Sequence, residues 1–145
     1  MERSLGFKER RYIEELRIIT KSTALDCVID DKFERIIYII KQGNMGLAIG
    51  RNGDNIRKLS GILGKRIEMV EYDEDALTFI TNMFKPAQLS AVSLTPARID
   101  VQTGDKDNLA LAIGRNGATI EKAKILVKRF FNIDEIEVSA KTESS

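Results

Sequence analysis

The heptapeptide Leu-Ala-Ile-Gly-Arg-Asn-Gly stands twice in this 145-residue chain, at Leu47–Gly53 and at Leu111–Gly117. Seven identical residues offset by 111 − 47 = 64 positions mark an internal duplication. Any fold assigned to the chain has to place both copies in equivalent settings.

The flanks of the two copies agree. Two runs rich in β-branched residues and bounded by turn formers precede each one: Ala24–Ile29 and Glu34–Lys41 before the first, Leu89–Leu94 and Arg98–Thr103 before the second. Earlier still comes a helical pattern, Phe7–Thr23 in one case and Glu74–Phe84 in the other. An amphipathic helix follows each GRNG. Ile120, Ala123, Val127 and Phe130 recur at spacings of three and four, and Ile56, Leu59 and Leu63 form a shorter version punctuated by Gly61 and Gly64. A last strand closes each half, Arg66–Tyr72 or Glu135–Ala140. The order α-β-β-α-α-β therefore occurs twice. It predicts an α+β fold of two domains, 1–72 and 73–145, each with a three-stranded sheet. The run Asp73-Glu74-Asp75 reads as the cap and first turn of the next helix. The tail Lys141–Ser145 reads as disordered.

Composition narrows the chemistry. The chain has no histidine, which removes the commonest general base and metal ligand and every Ser–His or Cys–His pair. Cys27 is the only cysteine, lies in an apolar run and reads as a small buried hydrophobe. No catalytic residue, metal, cofactor or small-molecule substrate is expected. The longest apolar runs fall short of a membrane span, and the charged N-terminus lacks a signal-peptide core, so a cytoplasmic location is expected. The net charge of +1 does not by itself point to nucleic acid; placement has to.

In each copy a short apolar helix runs into GRNG and a second helix begins directly after it. A helix N-terminus offers unpaired N–H groups and a partial positive charge to an anion such as phosphate. Gly50, Gly53, Gly114 and Gly117 let a sugar-phosphate backbone approach closely, Arg51 and Arg115 add forked cationic donors, and Asn52 and Asn116 tolerate a left-handed turn. A β-hairpin reading of Asn-Gly fails because the flanks are helical. Neither the GxxxxGK loop nor the GxGxxG dinucleotide fingerprint is present. One GxxG alone reads as a packing corner that needs glycines; two copies that also repeat the polar Arg-Asn pair favour a binding loop.

A GxxG loop between two helices within an α-β-β-α-α-β unit resembles the type II KH domain. The tandem with GRNG in both copies resembles the NusA transcription factors, above all the short archaeal NusA-like proteins. The resemblance covers roughly Phe7 to Ala140. It implies two tandem type II KH domains that hold single-stranded RNA on Gly50-Arg51-Asn52-Gly53 and Gly114-Arg115-Asn116-Gly117, about four nucleotides each. It also implies a role in transcription termination or antitermination, with the transcription machinery as a possible partner. Bacterial members carry further domains, a polymerase-binding one among them, for which 145 residues leave no room, so direct polymerase contact is not implied.

KH proteins lay bases in an apolar groove beside the loop, and the resemblance puts Ile49, Ile56, Ile113 and Ile120 there; by spacing alone they read equally as core. Leu47 and Leu111 read as core. Lys58, Lys65 and Arg66 in the first half, and Lys122, Lys124 and Lys128 in the second, read as a phosphate track or as ordinary solvated charges. Asp54 follows the first GRNG where the second has Ala118, and Glu121 stands where the first half has Arg57, so unequal RNA binding is expected. Two other readings are open: a ribosome-associated KH protein, against which the near-neutral charge counts, and a protein–protein adaptor whose GxxG loops are structural. A phosphoryl-transfer enzyme would need the missing phosphate-loop lysine.

Overall fold

The structure, a computed structural model, describes residues 5–140; the tail expected to be disordered lies outside them. Within them the chain divides into two compact units, 5–73 and 74–140. The first contains α1 (Phe7–Thr20), β1 (Ala24–Asp30), β2 (Arg35–Ile40), α2 (Met45–Ile49), α3 (Asp54–Leu63) and β3 (Arg66–Glu71). The second repeats the order with α4 (Ala76–Met83), β4 (Leu89–Leu94), β5 (Arg98–Thr103), α5 (Lys106–Ile113), α6 (Ala118–Phe131) and β6 (Glu135–Ala140).

Each unit has a three-stranded sheet. β2 lies between an antiparallel β1 and a parallel β3, and β5 lies likewise between β4 and β6. The parallel pairing needs a crossover, and the two helices flanking GRNG supply it in both units. The duplication extends to an irregularity. The register shifts between Ala24 and Asp26 in β1, and between Leu89 and Ala91 in β4. A second shared device is ionic. Arg35 and Arg98, each opening a central strand, reach the acid two residues beyond their parallel partner: Glu68 at 2.9 Å and Glu137 at 2.5 Å.

The first unit packs Ile36, Tyr38 and Ile40, alternate residues of β2, with Leu16 of α1, Ala48 of α2 and Leu59 of α3. Full burial of each aliphatic side chain contributes about 1.5–3 kcal/mol. Tyr38 donates its hydroxyl to the Tyr12 carbonyl at 2.7 Å, and burial pushes the phenol's pKa up, so it stays a donor. Arg35 is buried and held by Asp30 at 2.7 Å as well as by Glu68. In the second unit Phe79, Ile80, Met83, Ile99, Val101, Leu126 and Val127 are buried, with Phe79 edge-on to Phe130 at 5.0 Å.

Element limits differ from the sequence expectation where side chains interrupt a pattern. α1 stops at Thr20 rather than Thr23, because Lys21 turns left-handed (φ 66°) and the Thr20 hydroxyl bonds the Leu16 carbonyl at 2.7 Å. α4 starts at Ala76. Asp75 alone is its cap, accepting from the Thr78 amide at 3.0 Å and the Thr78 hydroxyl at 2.6 Å, so Asp73 and Glu74 lie ahead of the helix.

Candidate nucleic-acid interface

The helices before GRNG are positioned by side-chain amides. The Asn44 carbonyl oxygen accepts from the Thr23 amide at 2.9 Å, and Asn108, at the equivalent position of the second unit, accepts from the Gln88 amide at 2.8 Å. Each helix therefore hangs from the start of its unit's first strand. In the first unit the Asn55 amide also donates to the Leu47 carbonyl at 2.8 Å, tying α3 back to α2.

Between the helices the two loops adopt the same conformation. Gly50 and Gly114 stand at φ/ψ 78°/171° and 81°/168°, Asn52 and Asn116 at 55°/25° and 56°/25°, and Gly53 and Gly117 at 77°/14° and 80°/15°. No angle differs by more than 3°. Gly53 and Gly117 donate their N–H groups to the carbonyls of Gly50 and Gly114 at 3.1 Å, closing a tight 3₁₀ turn. The asparagines are left-handed, as their residue type suggests.

The glycines do two different things. A Cβ on Gly50 would lie 2.8 Å from the Asn55 backbone nitrogen, and one on Gly114 2.6 Å from that of Thr119. The first glycine of each loop is thus required by the protein's own packing, a second reason for glycine beside the ligand approach expected from the sequence. A Cβ on Gly53 would touch only the far end of Arg57, and one on Gly117 would find nothing closer than Ile120 Cγ2 at 3.8 Å. Gly117 therefore borders open space, while Gly53 is faced by the end of the Arg57 side chain, which Asp54 binds. This second glycine is also the N-cap of the following helix and supplies no side-chain cap, while the first N–H groups of the two helices, on Asp54 and Ala118, donate to the Arg51 and Arg115 carbonyls.

Arg51, Asn52, Arg115 and Asn116 are exposed. Among the described residues, Arg51, Arg115 and Lys58 form no ion pair. Asp54 is bound by Arg57 at 2.7 Å, which offsets its charge next to the first loop. Glu121 is 3.8 Å from Lys124, so the acid near the second loop is also countered.

Ile49, Ile56 and Ile120 are half-buried and Ile113 is 39% exposed, so all four present apolar surface beside the loops. Leu47 and Leu111 were expected in the core, yet they are 52% and 46% exposed. Ala48 and Ala112 take the buried positions instead, because the small side chain lets these helices sit close against their units. The apolar surface beside each loop is therefore wider than the isoleucines alone suggested.

The proposed phosphate track is less uniform. Lys58 and Lys124 are exposed and Lys65 half-buried, while Arg66 bonds Glu68 at 3.1 Å and Lys128 bonds Asp134 at 2.8 Å. Lys122 is only 6% exposed and does not belong to a solvent-facing track. α6 buries the stripe Lys122, Ala123, Leu126 and Val127, whereas the shorter α3 buries Leu59 alone and leaves Lys58, the counterpart of Lys122, in solvent.

Comparison with known proteins bears on this arrangement. A KH domain family model matches residues 9–102, which takes in the first unit and continues into β5 of the second. A probable transcription termination protein NusA of Halococcus morrhuae is 34% identical over 131 residues, covering 89% of this chain and 93% of that protein. One of the same name from Halobacterium salinarum is 35% identical over 140 residues, covering 93% and 97%. The crystal structure of APE1850 superposes with a TM-score of 0.81 at 28% identity, covering 92% of this chain and 99% of that one.

Proposed function

The chain belongs to the NusA family of KH-domain proteins, and from that footing we propose that it is a transcription termination or antitermination factor with two type II KH domains that clamp single-stranded RNA on their GRNG loops. The observation that carries the reading is the coincidence of the two loops. Separated by 64 residues, they hold the same left-handed turn and expose the same Arg-Asn pair.

The clamp works by division of labour. The partial positive charge at the N-termini of α3 and α6 and the forked cations Arg51 and Arg115 take phosphates. Ile49, Ile56 and Leu47, with Ile113, Ile120 and Leu111, offer apolar surface to the bases. Binding requires no cofactor, metal or bond-making step, and the protein acts in the cytoplasm with the transcription machinery. Lys58 and Lys65, which form no ion pair among the described residues, extend the phosphate-binding surface of the first unit, with Arg66, Lys124 and Lys128 exchanging a carboxylate partner for phosphate.

The test is titration of a labelled single-stranded RNA against the intact protein, with the duplex form as competitor. Single strands should bind and duplex should compete poorly, because KH recognition needs unstacked bases. An adaptor with structural loops predicts no binding, and equal competition by duplex would point to shape or charge recognition instead.

A further inference from the structure

We propose that the first unit holds a second nucleotide subsite, a cleft of about 620 Å³ at the far end of α3 lined by Phe33, Glu34, Ser60, Gly64, Lys65 and Arg66. The inference rests on the reading of GRNG as an RNA clamp and adds where the strand goes next.

The route is written on α3. Ile56, Ser60 and the C-cap Gly64 follow one another at intervals of four, so they form one stripe down the helix. That stripe begins beside GRNG and ends in the cleft, about 15 Å away for a ten-residue helix. Ser60 and Gly64 are small and leave the path clear. The equivalent stripe of α6 reads Ile120, Lys124, Lys128, so the second unit lines the same route with long charged side chains.

The cleft carries the groups a nucleotide needs. The half-buried Phe33 is kept in place by Arg35, whose guanidinium carbon is 4.7 Å from the ring centroid and is itself anchored by Asp30 and Glu68; Lys32 Nζ lies 5.6 Å from the same centroid, so a base that stacks on the ring displaces this flexible side chain. Lys65 makes no ion pair among the described residues and can take a phosphate, with Arg66 next to it. Glu34 supplies an acceptor, which favours a base with an exocyclic amino group, such as cytosine, over uracil. In the second unit the matching strand connection is Thr95-Pro96-Ala97, with no aromatic ring. The subsite therefore belongs to the first unit alone.

The experiment uses the full chain with Arg115→Asp and Asn116→Asp, so that the first unit dominates the reading, and labelled cytidine oligonucleotides of four and eight nucleotides. Phe33→Leu and Lys65→Glu, each checked for native circular dichroism, should weaken the longer strand about tenfold, the range expected for a lost stacking contact, and leave the shorter one unchanged. An eight-uridine strand should gain less from length than eight cytidines. Unchanged affinity of the longer strand in both variants overturns the subsite, as does an equal loss at both lengths. Failure of Arg51→Asp with Asn52→Asp to weaken the four-nucleotide strand would instead overturn the clamp, whatever the cleft does.

Discussion

Replacing Gly50 by alanine should cost the first unit much more stability than replacing Gly53, although both glycines belong to one four-residue loop. At Gly50 the backbone sits at φ 78°, ψ 171°, a region closed to L-residues, and the new methyl would lie 2.8 Å from the Asn55 nitrogen. Strain of about 1–3 kcal/mol adds to an overpacking cost of about 1–3 kcal/mol, so a loss of about 4 kcal/mol is expected. At Gly53 the conformation is ordinary left-handed helix and the only close contact of the methyl is the far end of the Arg57 side chain, so the cost is about 1–2 kcal/mol. The second unit is an internal control: Gly114→Ala should behave like Gly50→Ala, and Gly117→Ala like Gly53→Ala, since Gly117 has still more room. Urea denaturation followed by circular dichroism reads the four variants. RNA binding, measured where the fold survives, should fall for Gly53→Ala and Gly117→Ala, whose methyls project where the RNA backbone would approach. Equal destabilisation by the two substitutions of one loop, or the reverse order, would refute the division of roles.

Three further outcomes follow from the geometry. Asp30→Ala should destabilise by about 1–3 kcal/mol, because it removes one of the carboxylates that hold the buried Arg35 while Glu68 remains; Asp100→Ala, at the half-buried pair Arg98 with Asp100, should matter less, and chemical denaturation compares the two. The hydrogen bonds from Thr78 hold the Asp75 carboxyl below its ordinary pKa, so its contribution is present above the ordinary carboxylate value and is lost as pH falls through the lowered one; stability of Asp75→Asn against pH should accordingly show a flatter acid limb. The log of RNA affinity should fall linearly with log salt, with a slope of about −0.7 for each neutralised phosphate, and a flat line would remove the ionic part of the clamp.

The duplication made most of the fold legible. Identical heptapeptides forced the flanks into alignment, and β4, β5 and β6 lie at the limits their patterns suggested. The units also share a strand bulge and an Arg–Glu pair, which no composition rule would have found, since both depend on which strands pair and in what register. Errors fell where a pattern was too short or too local. α2 has five residues, little more than one turn, so periodicity could not decide between Leu47 and Ala48 for the buried side. Lys58 and Lys122 occupy equivalent motif positions but differ in burial because α6 hides a broader stripe than α3. The two glycines of GRNG look alike in sequence, and only the closeness of the next helix to the first of them separates their roles.

The central claim is that the exposed Arg-Asn pairs of both loops hold RNA on a turn that the glycines make possible. It is met most directly by a single variant carrying Arg51→Asp, Asn52→Asp, Arg115→Asp and Asn116→Asp, with all four glycines kept. These side chains are exposed, so the fold should survive with native circular dichroism. Each arginine lost removes a charge-assisted contact worth about 1.5 kcal/mol or more, and the new carboxylates repel phosphate. Affinity for a single-stranded RNA should therefore drop by about a hundredfold or more. Native circular dichroism together with unchanged affinity would contradict the account, because the RNA would then be bound elsewhere.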